Sequence, residues 1–425
     1  MKQTITPCRV QGRIQLPPSK SMAHRLMICA GLADGTSRVA GLRDSKDMQA
    51  TLQCLKALGA RVTGDFPVLE IAGCNPVCRT EPATLNCNES GSTLRFMIPC
   101  AALSAAPAVF TGRGRLMERP MGVYANLFLE QGLRFDQGDG QILVQGPLQP
   151  GLFEIPGNVS SQFISGLLFA AGLMQGTTEL AVLPLYESRD YVTMTVSALQ
   201  TFGITVNQPT DHGYVIPGGQ SYLPRDVQVE GDWSQAAFPA VLGALKGSVV
   251  LEGLNPHSLQ GDKVIEDILR QAGVDERWEN DTLIVRHPMA GLKPLDVDLG
   301  PCPDLGPALC VLASFIPGRS IIRNAGRLRI KESDRIAAME AELRKWGVDI
   351  SSTEDTIVIQ GRSGYRLDQP VTIDGHNDHR IVMAMAVFGW AAGSPSVIEG
   401  MEAVTKSWPD FFQDMMAVLK TEVLK

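Results

Sequence analysis

Aromatic residues make up only 6% of this 425-residue chain, and it contains six histidines. So few rings leave little material for a base-stacking platform. No apolar run is long enough to span a membrane, which takes about 20 residues. The longest runs, near 164–174 and 381–392, are broken by glycine or serine. The N-terminal Met-Lys-Gln-Thr-Ile-Thr-Pro lacks the apolar core of a signal peptide. Positive charge is in deficit: the net charge is −7 and the pI is near 5.5. That excludes nucleic acid as the main partner but leaves room for small anions, which need only a local cationic pocket. Nine scattered cysteines, an odd number, suit a reducing cytosol better than a disulfide framework. The closest pair, Cys74 and Cys78, has three residues between and no histidine nearby, so no zinc site is expected. Nucleophile elbows, Cys–His pairs and metal-binding His pairs are also missing. A cytoplasmic protein with no metal and no cofactor is therefore expected.

What is present is 44% hydrophobic and 20% charged residues, a globular composition over a length that suggests two or three domains. One pattern recurs. A helix-like stretch ends in glycine plus an apolar residue, and a turn-rich hairpin follows, at Gly59, Gly132, Gly203, Gly273 and Gly347. Successive glycines are 73, 71, 70 and 74 residues apart. Glycine there suits a left-handed helix C-cap leading into a strand. Leu69-Glu-Ile, Ile142-Leu-Val, Leu283-Ile-Val and Ile357-Val-Ile read as second hairpin strands. One more period reaches residue 419, where a last helix over 411–419 is expected. The result is six units of roughly 70 residues, the size of a βαβαββ block, dividing into two domains of three.

The densest charge cluster is Arg327-Leu-Arg-Ile-Lys-Glu-Ser-Asp-Arg335. If a helix begins within it, Lys331 and Arg335 share one face, and Ser333 or Asp334 caps the start. Cations at a helix N-terminus oppose the helix dipole, so stability gives no reason for them; an anionic ligand does. Similar clusters stand elsewhere. Pro-Pro-Ser-Lys20-Ser21 opens an apolar helix, with Arg25 one turn on. Asn88-Glu-Ser-Gly91-Ser-Thr-Leu-Arg95 is a small-residue turn ahead of the helix expected at 96–103, where Gly91 admits close approach of a ligand. Thr111-Gly-Arg-Gly-Arg115-Leu-Met-Glu-Arg119 carries three arginine forks, suited to carboxylate or phosphate. Ser160-Ser161-Gln162 offers neutral donors, and Ser188-Arg189-Asp-Tyr191 repeats the theme. In the C-terminal half, Asp304 lies on a proline-held turn, a candidate general base beside cations. Asn377-Asp-His-Arg380 and Thr-Lys406-Ser add further positive groups. The chain reads as a binder of two small anions with acid–base groups.

Together these motifs, in order along the full length, resemble the enolpyruvylshikimate-phosphate synthase family. The resemblance implies an α/β fold of two similar domains, each of three βαβαββ units arranged as an inside-out α/β barrel. It implies a discontinuous domain of residues 1–18 plus 232–425 and an inserted domain of residues 19–231, with the active site in the cleft between them. The substrates would be phosphoenolpyruvate and shikimate 3-phosphate, acted on by a monomer without cofactor, nucleic acid or membrane. Lys20, Ser21, Arg25, Ser160, Ser161, Gln162, Ser188, Asp304 and Lys331 would hold shikimate 3-phosphate. Lys20, Gly91, Arg115, Gln162, Arg335, Arg380 and Lys406 would hold phosphoenolpyruvate. Asp304, Glu332 and Lys20 would be catalytic.

Three positions depart from the family pattern: Glu89 in the glycine loop, Phe96, and Arg327 in place of an asparagine. A related transferase acting on a UDP-amino sugar is disfavoured, because residues 111–122 contain no cysteine to serve as its mobile-loop acid.

Overall fold

The repeated glycines close their helices in the left-handed region, with φ of 114°, 69°, 84°, 83° and 74° at Gly59, Gly132, Gly203, Gly273 and Gly347. In this computed structural model, which describes residues 1–421, the next residue donates its N–H to a carbonyl five positions back. The bonds are Ala60 to Leu55 at 3.0 Å, Leu133 to Phe128 at 2.8 Å, Ile204 to Leu199 at 2.9 Å, Val274 to Leu269 at 2.9 Å and Val348 to Leu343 at 3.2 Å. This is the Schellman closure. It also explains the apolar residue after each glycine, which turns inward at Ala60, Ile204, Val274 and Val348.

The chain divides into two compact units, Met1–Pro17 with the chain from Glu230 onward, and Pro18–Val229. These boundaries fall one or two residues before the expected 18/19 and 231/232. The inserted unit holds three four-stranded sheets. In one, Ala83–Asn86 pairs in parallel with Ala108–Thr111, and the hairpin Arg134–Gly138 and Gln141–Gln145 adds antiparallel. Leu152–Pro156, Thr178–Leu183, Asn207–Thr210 and Gly213–Ile216 repeat the plan. The third sheet joins distant segments: Asp226–Gln228, from the end of the unit, lies parallel to Thr36–Ala40.

The discontinuous unit follows the same plan. Asp296–Asp298, Gly318–Arg323, Asp349–Ser352 and Ile357–Gly361 form one sheet. In the second, Cys8–Gln15 runs parallel to Gly247–Glu252, next to the hairpin Asp275–Glu279 and Thr282–Arg286. In the third, Lys2–Ile5 pairs antiparallel with Ser396–Glu399, itself parallel to Val371–Asp374.

Helices take the inside of each unit and sheets the outside. Every residue of the helix His379–Ala391 is buried, and so is all of Ser161–Ala171 except Gln162. The outer strands Arg61–Asp65 and Asn207–Thr210 are mostly exposed. That is the inside-out α/β arrangement: the glycine- and alanine-rich helices are apolar on all sides, which only an interior position accommodates. No helix among the described residues is long and apolar enough to cross a membrane.

Two expectations are corrected. The last helix is Phe411–Met415 only, and residue 419 begins a strand, Leu419–Thr421, which pairs with Cys8–Gln15. The edge of that strand has open backbone groups, and the returning chain satisfies them. The helix expected at 96–103 starts earlier, at Gly91, because the Ser90 hydroxyl accepts the Thr93 N–H at 3.3 Å and caps it there.

Candidate functional site

Asp304 is the hub of the discontinuous unit's charged cluster. A short 3-10 turn, Pro303–Leu305, leads into the apolar helix Gly306–Ser314 and fixes its backbone. Its Oδ1 accepts from Lys331 Nζ at 3.3 Å and Arg335 Nη1 at 3.2 Å, and its Oδ2 from Arg380 Nη2 at 3.0 Å. Burial alone would raise this carboxyl. Arg380, Lys331 and Arg335 outweigh it and hold Asp304 well below the usual carboxylate range. Burial lowers the Lys331 ammonium, with Arg327 and Arg335 adding to that and Asp304 opposing it.

Arg335 itself is shared among three carboxylates. Its Nη2 donates to Glu332 at 2.6 Å, and its Nε to Asp378 Oδ2 at 2.8 Å. Burial opposes the charge of Arg335, yet Asp378, Glu332 and Asp304 keep it firmly protonated. Asp378 caps the helix His379–Ala391 by accepting the Arg380 N–H at 2.9 Å. The carbonyl of Asn377 accepts from Lys406 Nζ at 2.6 Å. So Asp304, Lys331, Glu332, Arg335, Arg380 and Lys406 stand in one connected cluster.

Lys331 and Arg335 do not share a helix face as expected. Asp334 is the cap, its Oδ1 accepting the Ala337 N–H at 3.0 Å, so the helix Arg335–Lys345 begins beyond Lys331. Arg329 reinforces that start with a 3.0 Å bond to Asp334. The two cations meet through Asp304 instead.

The inserted unit holds a second cationic group. The helix Lys20–Leu32 is capped by Ser19, and Lys20 Nζ pairs with Asp47 at 3.0 Å. Arg25 is buried, donating to Thr195 Oγ1 at 2.8 Å and to the Ser21 and Tyr191 carbonyls at 2.6 and 2.7 Å. Burial lowers its guanidinium to about 10. Its guanidinium carbon also lies 5.2 Å from the Phe96 ring centroid, which gives that departure from the family pattern a packing role. Ser160 caps the helix Ser161–Ala171 by accepting the Gln162 N–H at 3.3 Å. Gln162 then bridges Arg95 at 2.8 Å and Ser92 at 2.9 Å. Ser188, at φ 52°, is the buried residue before the helix Arg189–Thr201.

Gly91 stands at the first turn of its helix, where an added Cβ would meet the Arg119 guanidinium and lie 3.3 Å from Arg95 Nη1. The glycine thus leaves space next to two arginines. Arg115, the expected member of this group, is not among its neighbours. It is more than half exposed and lies 3.9 Å from Glu118. Arg119, four residues on, is buried beside Gly91. Sequence reasoning gave no sign of that burial, since two arginines one turn apart carry no signal of which points inward. It also missed Asp378, Asp47 and Arg95; an aspartate directly before a His-Arg helix start was a legible cap signal.

The profile of the family described as EPSP synthase (3-phosphoshikimate 1-carboxyvinyltransferase) matches residues 5–415. The 3-phosphoshikimate 1-carboxyvinyltransferase of Clostridium beijerinckii is 40% identical over 418 residues, covering 96% of this chain and 95% of that protein. The EPSP synthase structure from Acinetobacter baumannii superposes with a TM-score of 0.79 at 27% identity, covering 99% of this chain and 98% of that one. The enolpyruvyl transferase NikO from Streptomyces tendae, at 15% identity and a TM-score of 0.77, shares the fold over 98% of this chain and 97% of its own. The chain belongs to the EPSP synthase family.

Proposed function

We infer that this chain transfers the enolpyruvyl group of phosphoenolpyruvate to the 5-hydroxyl of shikimate 3-phosphate and releases phosphate. The observation that carries the reading is Asp304, an ionised carboxylate held at hydrogen-bond distance from three cations in a chain of this family. A protein that only bound anions would gain nothing from a carboxylate there. A proton acceptor for a hydroxyl needs one.

The electrostatics of the substrates match the rest of the cluster. Two phosphates and two carboxylates repel at about 4 kcal/mol per contact at roughly 4 Å and an effective dielectric near 20, so several cations are required. Arg335, Arg380 and Lys406 supply them for phosphoenolpyruvate, with Lys20, Gln162 and the space at Gly91. Arg25, Ser21, Ser160, Ser161, Ser188 and Lys331 serve shikimate 3-phosphate, with Lys20, Gln162 and Asp304. In the reaction, C3 of phosphoenolpyruvate gains a proton and C2 becomes electrophilic. The 5-hydroxyl oxygen attacks C2 and its proton passes to Asp304, giving a tetrahedral phospho-ketal. Loss of a proton from C3 then expels phosphate from C2. Glu332 and Lys20 serve the proton transfers at C3.

Arg115 is proposed to hold phosphoenolpyruvate as the family resemblance implies, and Arg119, beside Gly91, is proposed as a second contact. Arg119→Ala is expected to raise the KM for phosphoenolpyruvate by about 10-fold to 100-fold, as loss of a charge-assisted hydrogen bond worth ~1.5–3 kcal/mol does. Arg115→Ala should raise it as well, since its guanidinium is more than half exposed and open to an anion. An unchanged KM in either variant would remove that arginine from the proposed site.

The whole reading is tested by phosphate release from phosphoenolpyruvate, with and without shikimate 3-phosphate, in buffer containing a metal chelator. Release that needs both substrates and is undiminished by chelator is expected. No release, or release with UDP-N-acetylglucosamine in place of shikimate 3-phosphate, would overturn it.

A further inference from the structure

The loop 374–378 does more than connect a strand to a helix. His376 and Asn377 are both in the left-handed region, at φ 50° and 48°, a conformation that costs energy for residues other than glycine. Three anion-binding cations hang on this loop. Asp378 holds Arg335 and caps the helix start at Arg380, and the Asn377 carbonyl holds Lys406 Nζ. Something must keep the turn in place, and Glu342 does so. Its Oε1 is 2.9 Å from His376 Nε2, and its Oε2 accepts the Asp374 N–H at 3.1 Å. Asp374 in turn accepts the His376 N–H at 2.7 Å.

We propose that the His376–Glu342 pair is a latch that positions Arg335, Arg380 and Lys406 for phosphoenolpyruvate, and that protonation of His376 tightens it. This rests on the function inferred above. His376 is a positioning residue, acting only through the loop. The charged groups facing it are Glu342 and Lys345, from the helix Arg335–Lys345, and Asp374 at the end of its own strand. On the adjacent strand, Glu399 is engaged by Lys2 at 2.6 Å. Lys345 also bonds Glu342, at 2.7 Å, so the carboxylate is shared between a permanent cation and a switchable one.

The direction in pH follows. The bond to Glu342 raises His376 above its ordinary 6.5, against the opposing effect of burial. A raised histidine contributes its full stabilisation below the unfolded value and loses it as pH rises through the folded one. The latch is therefore charged and tight on the acid side and only a neutral hydrogen bond on the alkaline side.

The test compares wild type with His376→Gln, which keeps a neutral donor at all pH values. KM for phosphoenolpyruvate and kcat are measured from below to above the ordinary histidine value of about 6.5. Titration of phosphoenolpyruvate itself cancels in the variant-to-wild-type ratio. That KM ratio is expected to be about tenfold on the acid side and to approach one as pH rises, with kcat little changed. A ratio independent of pH, or an effect on kcat alone, would overturn the proposal. A merely structural histidine would shift the thermal midpoint and leave KM alone. Should His376→Gln not fold, His376→Asn suits the left-handed backbone and removes the reach to Glu342. Its ratio should stay above one at every pH, and a ratio of one throughout would overturn the proposal. Absence of turnover in the wild type is a separate result that would sink the functional reading and this proposal with it.

Discussion

Asp304→Ala is expected to lower kcat by about 100-fold or more while both substrates still bind, as loss of a general base does. Three cations depress Asp304 in the unliganded protein, which makes it a weak base at rest. At the proposed site, substrate anions would compete for the same Arg335, Arg380 and Lys331. As those cations turn to phosphate and carboxylate, their hold on Asp304 relaxes and its basicity rises where a proton must be taken. Removing Asp304 thus abolishes the acceptor but leaves the cations free for ligand, so Kd for phosphoenolpyruvate should hold or tighten, while shikimate 3-phosphate loses only the contact to its 5-hydroxyl. Unchanged kcat would remove Asp304 from the chemistry. Weakened binding with unchanged kcat would make it a substrate ligand only.

The second large effect is on stability. Arg335 is almost wholly buried, at 1% side-chain exposure, and faces Asp378 at 0%. Arg335→Ala strands that carboxylate, together with Glu332, in a poorly solvated site. Breaking a buried pair from one side costs about 3–5 kcal/mol. Arg335→Lys should rescue little, because one ammonium cannot span three carboxylates as a guanidinium fork does. The pH dependence gives the sign check. Burial tends to raise Asp378, but Arg335 outweighs it and depresses the group below its ordinary 3.8. The pair therefore contributes stability above about that value and loses it as pH falls through the depressed one. In the variant burial acts unopposed by Arg335, so the deficit should be largest at neutral pH and shrink in acid. Urea unfolding at two pH values measures both; equal midpoints for variant and wild type at neutral pH would show that Asp378 finds another cation.

Much of this was legible in the sequence, for definite reasons. The recurring glycines were readable because the left-handed closure admits little else, and one residue type then marks five helix ends. Lys331, Arg335 and Asp304, which the structure brings into one charged cluster, stood out because cations before a helix and an aspartate on a proline turn have no packing use. The relation between Lys331 and Arg335 was not, since it depends on whether Ser333 or Asp334 caps, and both residue types do so. That Arg119 and not Arg115 is the buried one was not legible, because burial of one arginine among three is decided by the turn Leu116–Glu118, not by local spacing. The helix expected over 411–419 ran into the strand at Leu419 because that strand's partner, Cys8–Gln15, lies far earlier in the sequence.

That last pairing bears on the order of events at the ribosome. Lys2–Ile5 and Cys8–Gln15 emerge before the inserted unit, yet Lys2–Ile5 waits for Ser396–Glu399, and one neighbour of Cys8–Gln15 is Leu419–Thr421. The inserted unit is complete by Val229 and carries its own closing strand, Asp226–Gln228. At about 5–20 residues per second, it can fold while the two leading strands are still unpaired. Cys8–Gln15 alternates, with Arg9, Gln11, Arg13 and Gln15 exposed and Cys8, Val10 and Ile14 buried. Charge on an open edge discourages pairing with a neighbouring nascent chain. Arg9 and Arg13 thus guard the nascent sheet until Leu419–Thr421 arrives.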